Sequence, residues 1–162
     1  METDEVGKMT GLKDVVAAKT VLSHVDGEAG RLIIRGHDLE DLAGRVHFED
    51  ALALLWNGLI DFGDAEDLRQ AIGEARARAF ADFTPLFGHA AAMDTFSAMR
   101  FLMASIGDAG PLAKPAGQVG AMAVAAAAAT RLTSGAQPVQ PDRDASHAAD
   151  LLRMAAGQLR SG

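Results

Sequence analysis

The sequence predicts an all-α fold with one small β-hairpin near the N-terminus. Apolar residues recur at helical spacing through most of the chain after residue 48. Only one convincing pair of β-prone runs flanks a tight turn. A length of 162 residues is enough for one domain with its own core. We therefore expect a single domain over 1–162, with a hairpin segment over 10–36 and helices over 38–162.

The predicted hairpin consists of two short apolar runs and the turn between them. The runs are Thr20–Ser23 and Arg31–Arg35. Between them, Asp26-Gly27 can supply the positive φ that a tight hairpin turn needs. We expect two antiparallel strands here.

Helices are predicted for most of the remaining chain from apolar spacing, caps and breakers. They run over Leu39–Ala43, Phe48 to about Leu59, Ala65 to about Asp82, Ala92 to about Ile106, Ala116 to about Leu132 and Ala145 to about Leu159. We expect Asp38, Asp64 and Asp144 to act as N-caps. The helix from Phe48 is apolar around most of its circumference, so it should be buried on more than one side.

The faces of the later helices can also be predicted. The helix from Ala65 should turn a solvated side to water, comprising Arg69, Glu74, Arg76 and Arg78. The last helix should bury a face comprising Ala148, Leu151, Leu152 and Ala155. The two helices over 92–106 and 116–132 carry few polar residues, and the second is made mostly of small ones. Small side chains allow such helices to pack closely.

Composition excludes several classes of function. The chain has 15 Lys and Arg against 22 Asp and Glu, a net charge of −7, and few aromatic residues, which disfavours nucleic acid as a partner. It has no cysteine, hence no disulfide or thiolate chemistry. The acidic N-terminus is unlike a secretory signal, and the small-apolar run over 120–129 is about half of what a membrane span needs. We expect a cytoplasmic protein that does not enter a membrane.

No catalytic, cofactor-binding or metal-binding constellation is evident in the sequence. No two histidines stand four residues apart on a helix, as a zinc site would favour; the five are His24, His37, His47, His89 and His147. His24 and His37 could approach each other across the hairpin, but surface positions explain them as well. His89 can be a cap or a solvated side chain. Phosphate-binding glycine motifs and a nucleophile elbow are also absent from the sequence.

Four stretches in order, Gly11–Ala18, the Val25-Asp-Gly27 turn, Arg35–Ala43 and Phe48–Gly58, resemble the N-terminal part of citrate synthases. The similarity continues through Met93-Asp94 and the following helix, and it is loose after about residue 110. Two departures stand out. Ala91-Ala92-Met93 stands where the family has His-Pro-Met, and His37 replaces the family's tyrosine.

The resemblance implies the N-terminal portion or a subunit of a citrate-synthase-like acyltransferase, contributing helices of the large domain. Such an enzyme condenses acetyl-CoA, or propionyl-CoA, with oxaloacetate. The family's two catalytic histidines and its aspartate have no counterpart in this sequence, so we expect no catalytic residue and no cofactor site here. The expected partner is a second copy, forming a homodimer, or a complementary chain with the catalytic half. The alternatives are a non-catalytic helical dimerisation or regulatory module from the same family, or a small independent enzyme using one of the histidines.

The resemblance further implies that the two helices poor in polar residues belong to the family's dimer interface. The candidate interface residues are Met93, Phe96, Met99, Leu102, Met103, Val124 and Ala128. A buried core of the monomer would show the same composition, because obligate interfaces resemble cut-open cores. Both interpretations stay open from the sequence.

Overall fold

A computed structural model describes residues 20–156 of the chain. It divides into two compact units, Met1–Asp41 and Leu42–Gly162. The predicted segment Gly11–Ala18 and the predicted end of the last helix, residues 157–159, lie outside the described residues.

The first unit contains a small antiparallel sheet of three strands in the order β1-β2-β3. The strands are β1 (Ser23–Asp26), β2 (Arg31–Ile34) and β3 (His37–Asp38). The predicted hairpin is confirmed, but its first strand begins three residues later than expected, and a short third strand joins it. The chain can return because Arg35 and Gly36 both adopt positive φ, 51° and 89°.

The hairpin turn differs from the one that the sequence predicted. Asp26 is paired with Arg31, so four residues make the turn. The Asp26 carboxylate accepts hydrogen bonds from the backbone N–H groups of Glu28 and Ala29, at 3.2 and 2.9 Å. Positive φ occurs at Gly30 (64°) and not at Gly27. The predicted role of Gly27 was wrong, because the Asp26 side chain stabilises a longer turn that needs positive φ only at its end.

The helices, apart from most of α1, lie in the second unit. Their bounds are α1 (Leu39–Leu42), α2 (Phe48–Trp56), α3 (Ala65–Phe83), α4 (Phe87–Ala90), α5 (Thr95–Ala104), α6 (Pro115–Thr133) and α7 (His147–Ala156), with 3₁₀ turns at Thr84–Leu86 and Pro111–Ala113. The all-α prediction with one small β element is confirmed.

The caps explain where the structure agrees with the predicted helix starts and where it does not. Asp64 caps α3 as predicted, since its carboxylate accepts from the Asp67 N–H at 2.9 Å. Helix α5 begins at Thr95, three residues later than predicted, because Asp94 is its N-cap and accepts from the Ser97 N–H at 3.1 Å. Asp38 makes a bidentate pair with Arg31, at 2.8 to 2.9 Å, which the sequence analysis did not anticipate.

The start of the last helix was predicted wrongly. Asp144 is not its N-cap, because α7 begins at His147, and the first hydrogen bond of its ladder runs from the Asp150 N–H to the Ser146 carbonyl. The segment before α7 has no regular structure. Arginine side chains bind its backbone carbonyls and fix its path.

Helix α6 is the centre of the helical unit and packs against α3, α5 and α7. Its many alanines and glycines allow a close approach to α3. A Cβ added at Gly120 would lie 2.7 Å from Cβ of Ala75 and 2.8 Å from the carbonyl oxygen of Ile72. The largest fully buried apolar side chains of the described residues are Leu68, Ile72, Phe83, Leu102, Val124 and Met154.

Helix α2 is less covered than its sequence predicted. The expected burial on more than one side was wrong for this structure: Phe48 is 42% exposed, and Glu49 is the one buried residue of the helix. Among the described helices, α3 and α7 are the ones that pack against α2, and they leave its apolar surface partly open.

Candidate functional site

Helices α5 and α6 form an antiparallel pair. Thr95, the first residue of α5, places its hydroxyl oxygen 3.0 Å from that of Thr133, the last residue of α6. The connection between the helices includes the Pro111–Ala113 turn, which packs against α6. The pair therefore presents one two-helix layer in which the candidate interface residues can be placed.

The candidate interface residues fall into two groups. Leu102, Val124 and Ala128 are at most 2% exposed and belong to the hydrophobic core of the chain itself. The remaining four line its outside: Phe96 is 74% exposed, while Met93, Met99 and Met103 are partly buried against the core. An exposed apolar residue on α6, Met122, was missed by the sequence analysis. The interface itself stays a prediction.

A buried ion pair joins α3 to α7. Nε of Arg76 lies 2.8 Å from a carboxylate oxygen of Asp150, and the two side chains are 1% and 0% exposed. The angle at Nε is poor for a hydrogen bond, so this contact is mainly electrostatic. The guanidinium also donates to the backbone carbonyls of Asp142 and Ala145, at 2.9 and 2.8 Å. The prediction that Arg76 is solvated was wrong. A charged side chain can be buried when it has partners, and here these are the Asp150 carboxylate and two backbone carbonyls.

His147 connects the ion pair to α2. Its backbone N–H donates to the Glu49 carboxylate at 2.6 Å, and its ring stacks on Phe48 with centroids 4.6 Å apart. Its Nδ1 lies 3.4 Å from a guanidinium nitrogen of Arg76. Because a guanidinium only donates, Nδ1 acts as the acceptor and the ring is neutral. Burial, together with the charge of Arg76, lowers the pKa of His147 below its ordinary value.

Asp150 holds two arginines and a backbone group. It accepts from the Asp142 N–H at 3.1 Å and from the Arg153 guanidinium at 2.6 Å, besides pairing with Arg76. Glu49, Arg76, His147 and Asp150 are the buried charged or titratable residues of the described chain, and we call them the buried polar cluster. Sequence reasoning missed this cluster.

The buried face of α7 therefore differs from the predicted one. It comprises His147, Asp150 and Met154, whereas Ala148 is exposed and Leu152 is 70% exposed. Spacings of three and four residues place His147, Asp150 and Met154 on one side of the helix. The prediction was right for Leu151 and Ala155, which are partly buried against the core, and it missed His147 and Asp150 because it assigned burial to apolar residues alone.

The other histidines do not form a site. His24 shares its row of the sheet with Ile33 and Asp38, while His37 lies in the next row, opposite Ile34. Adjacent rows point to opposite faces of a sheet, so the structure does not bring the two rings together. His89 lies exposed within α4, and His47 is exposed immediately before α2.

A surface pocket of about 530 Å³ lies beside the buried polar cluster. Its charged lining residues are Glu49, Asp50, Glu66, Arg69 and Asp144. Several of these already have partners: Glu66 pairs with Arg69, and Asp50 accepts from the His47 N–H. Over residues 20–156, no three His, Cys, Asp or Glu side chains are arranged to hold a metal ion.

Comparison with known proteins identifies the family. The sequence profile described as "Citrate synthase, C-terminal domain" matches residues 11–161. The chain belongs to the citrate synthase family. The citrate synthase of Acidithiobacillus ferridurans is 31% identical over 166 aligned positions, which include 91% of this chain and 42% of that protein. The citrate synthase of Haloferax volcanii is 44% identical over 57 residues, 35% of this chain and 15% of that protein.

Solved citrate synthase structures share the fold. The enzyme of Thermotoga maritima superposes with a TM-score of 0.71 at 21% identity, covering 96% of this chain and 43% of that one. The enzyme of Pyrobaculum aerophilum gives a TM-score of 0.71 at 26% identity, covering 91% and 42%. The chain thus spans well under half the length of these family members. Among the described helices, none is long and apolar enough to cross a membrane.

Proposed function

We propose that this chain provides helical scaffold for a citrate-synthase-like acyltransferase whose catalytic groups lie outside the sequence described here. The observation that carries the proposal is the match of residues 11–161 to the family, in a chain that spans 42% of a full-length relative. The described histidines support it, since four of the five are exposed singly and the fifth is engaged in a buried structural cluster. The complete enzyme would condense acetyl-CoA or propionyl-CoA with oxaloacetate.

The enzymatic part of the proposal is tested by complementation. CoA release from acetyl-CoA and oxaloacetate is measured with the purified chain alone, and then with a chain that carries the remaining part of a family member. We expect no turnover from the chain alone and turnover from the mixture. Turnover by the chain alone would overturn the assignment of catalysis to absent residues.

A cytoplasmic location belongs to the same proposal, because a chain without cysteine has no need of an oxidising compartment.

We also propose that the outer face of the α5–α6 pair is a contact between two copies of the chain or with the complementary chain. Phe96 and Met122 are the exposed apolar residues on these helices, and Met99 and Met103 are partly buried beside them. Leu102, Val124 and Ala128 would support this face from the core. Exposed apolar side chains of this size are typical of the centre of an interface.

Charge substitution tests this contact. Phe96→Asp and Met122→Asp should dissociate the assembly, because each would place a carboxylate in a desolvated contact. Leu152→Asp is the control, since Leu152 is 70% exposed, close to the 74% of Phe96 and more than the 45% of Met122, but lies on α7. The mass in solution is measured by sedimentation. An assembly that all three variants leave intact would contradict the proposed face.

The alternative is a non-catalytic dimerisation or regulatory module of the same family. The sequence offers no motif that combines a nucleophile, a base and an oxyanion donor, and this is compatible with the module as well as with the split enzyme. Dimers that persist while no complementary chain restores turnover would favour the module over the split enzyme.

A further inference from the structure

We propose that the buried polar cluster is a pH-sensitive latch, in which protonation of the His147 ring releases the start of α2 and the segment 138–146 from the helical core. The latch is a regulatory device within the fold, independent of the proposed scaffold role. It rests on a geometry in which one imidazole nitrogen faces a buried cation and the same residue holds a neighbouring helix.

The ring environment discriminates against the charged imidazole. The polar atom beside Nδ1 is a guanidinium nitrogen of Arg76, 3.4 Å away. Protonation would add the ring's second N–H, at Nδ1. This nitrogen would then change from an acceptor into a donor that faces the guanidinium N–H donors of Arg76. The residue is 7% exposed, so little water is available to relieve the repulsion.

The nearby anions are already engaged. On α7, Asp150 pairs with Arg76 and accepts from Arg153. On α2, Glu49 accepts the His147 backbone N–H, and Phe48 contributes its ring to the stack. These carboxylates favour a charged ring to some extent, but burial and the Arg76 charge outweigh them, and the pKa of His147 is lowered.

The segment before α7 is held near the His147 ring by arginine side chains that bind its backbone carbonyls. Its Asp142 and Ala145 carbonyls are bound by Arg76, and its Asp144 carbonyl is bound by Arg69 of α3 at 3.0 Å. The Asp142 side chain accepts from the Asp144 N–H at 3.0 Å. Displacing Arg76 would therefore withdraw two of the hydrogen bonds that fix this segment.

The consequence is local because α2 is held weakly by apolar contacts. Its side chains are mostly half-exposed, whereas its contacts with α7 include the Glu49 hydrogen bond and the Phe48 stack on His147. These are the contacts by which α2 meets α7, while its other side packs against α3. Displacement of the His147 ring would break the stack directly and would strain the Glu49 hydrogen bond through the backbone of the same residue. The core helices α3, α5 and α6 are packed through apolar residues that do not titrate.

The sequence supplies a convenient probe. Trp56 is the single tryptophan of the chain and ends α2, with its ring centroid 6.3 Å from that of Phe62. Its emission is followed from pH 8 to pH 5 in the wild type, His147→Gln and the matched control His89→Gln, in which an exposed histidine is changed. Amide hydrogen exchange is measured in parallel and corrected for the intrinsic effect of pH.

We expect a Trp56 transition with its midpoint below about 6.5, the ordinary histidine pKa. Exchange in 48–56 and 138–146 should rise by up to about tenfold for each pH unit between the ordinary histidine pKa and the lowered pKa of His147, because over that range the opened state binds one more proton than the closed state. Exchange in the buried part of α6 should stay unchanged. His89→Gln should retain the transition, and His147→Gln should lose it.

Three results would overturn the latch: no transition in the wild type, an unchanged transition in His147→Gln, or simultaneous opening of α6, which would mean global unfolding. If His147→Gln does not fold, proton NMR of the wild-type histidines decides the matter. A His147 ring that titrates at the Trp56 midpoint supports the latch. A ring that titrates at or above the ordinary range refutes it.

Discussion

Gly120 is the position where the packing of the two longest helices can be tested most directly. An alanine there would place its Cβ 2.7 Å from Cβ of Ala75, 2.8 Å from the Ile72 carbonyl oxygen and 2.9 Å from the Arg76 backbone nitrogen. All three contacts are far shorter than ordinary van der Waals contact. The obstructing atoms are backbone and Cβ atoms that no rotamer change can move, so Gly120→Ala must push α3 and α6 apart.

The magnitude follows from two opposing effects. Overpacking a core typically costs about 1–3 kcal/mol. Replacing a mid-helix glycine by alanine returns up to about 1 kcal/mol through helix propensity. We expect a net loss of about 1–2 kcal/mol in the free energy of unfolding. For a chain of this size the loss corresponds to a Tm lower by about 2–8 °C.

The assay is thermal unfolding followed by circular dichroism, with two companion variants. Gly88→Ala lies in α4, where an added Cβ meets nothing within 4 Å, and it should leave Tm unchanged or raise it. The double variant Gly120→Ala with Ala75→Gly removes one of the three clashes, so it should lose less stability than the sum of the losses of the two single variants, since Ala75→Gly alone costs helix propensity in α3. A Tm for Gly120→Ala equal to or above the wild-type value would refute the close helix contact.

Three further predictions concern the core and the buried polar cluster. Asp150→Ala should lower the free energy of unfolding in urea by about 3–5 kcal/mol, because it leaves the Arg76 guanidinium buried without its counter-ion; a loss below about 1 kcal/mol would contradict the pairing. Leu102→Ala should cost about 2–5 kcal/mol, whereas Phe96→Ala, at a 74% exposed site, should hardly change the stability of the isolated chain. Because the folded-state pKa of His147 is lowered, its contribution to stability should be complete above about pH 6.5 and be lost as the pH falls through the lowered pKa; urea midpoints that rise on acidification would have the wrong sign.

The sequence predicts the helices of this fold well where local signals agree. Helix α3 has a capping aspartate and a regular apolar stripe, and helix α6 begins at a proline and runs through alanines. Both were predicted to within one residue of their observed bounds. Helix α5 begins three residues after its predicted start at Ala92. The prediction included Asp94 in the helix, whereas Asp94 is its N-cap.

The buried polar cluster could not be predicted from local pattern. Arg76 and His147 are 71 positions apart in sequence, and Glu49 and His147 are 98 apart. Periodicity assigns charged residues to the solvent side, since an unpaired charge is costly to bury. Here the partners come from three separate helices, so burial of each residue depends on contacts that only the tertiary structure creates. The available local signal was the i, i+3 spacing of His147 and Asp150 on the eventual inner face of α7.

The irregular segment between α6 and α7 shows what the arginines accomplish. Residues 137–146 contain two prolines and no helix or strand, so their backbone carbonyls lack the partners that regular structure provides. Arginine side chains supply them: Arg131 binds the Gln137 carbonyl at 2.5 Å, Arg153 binds that of Gln140 at 2.7 Å, and Arg76 binds two more. These arginines come from α6, α7 and α3, so the path of the segment is set by the helices around it. A cation with several donors can bind multiple carbonyls at once, which a neutral side chain of the same size cannot do. Arg76 can therefore be buried because, besides the Asp150 carboxylate, it has two carbonyl partners in this segment that need a donor.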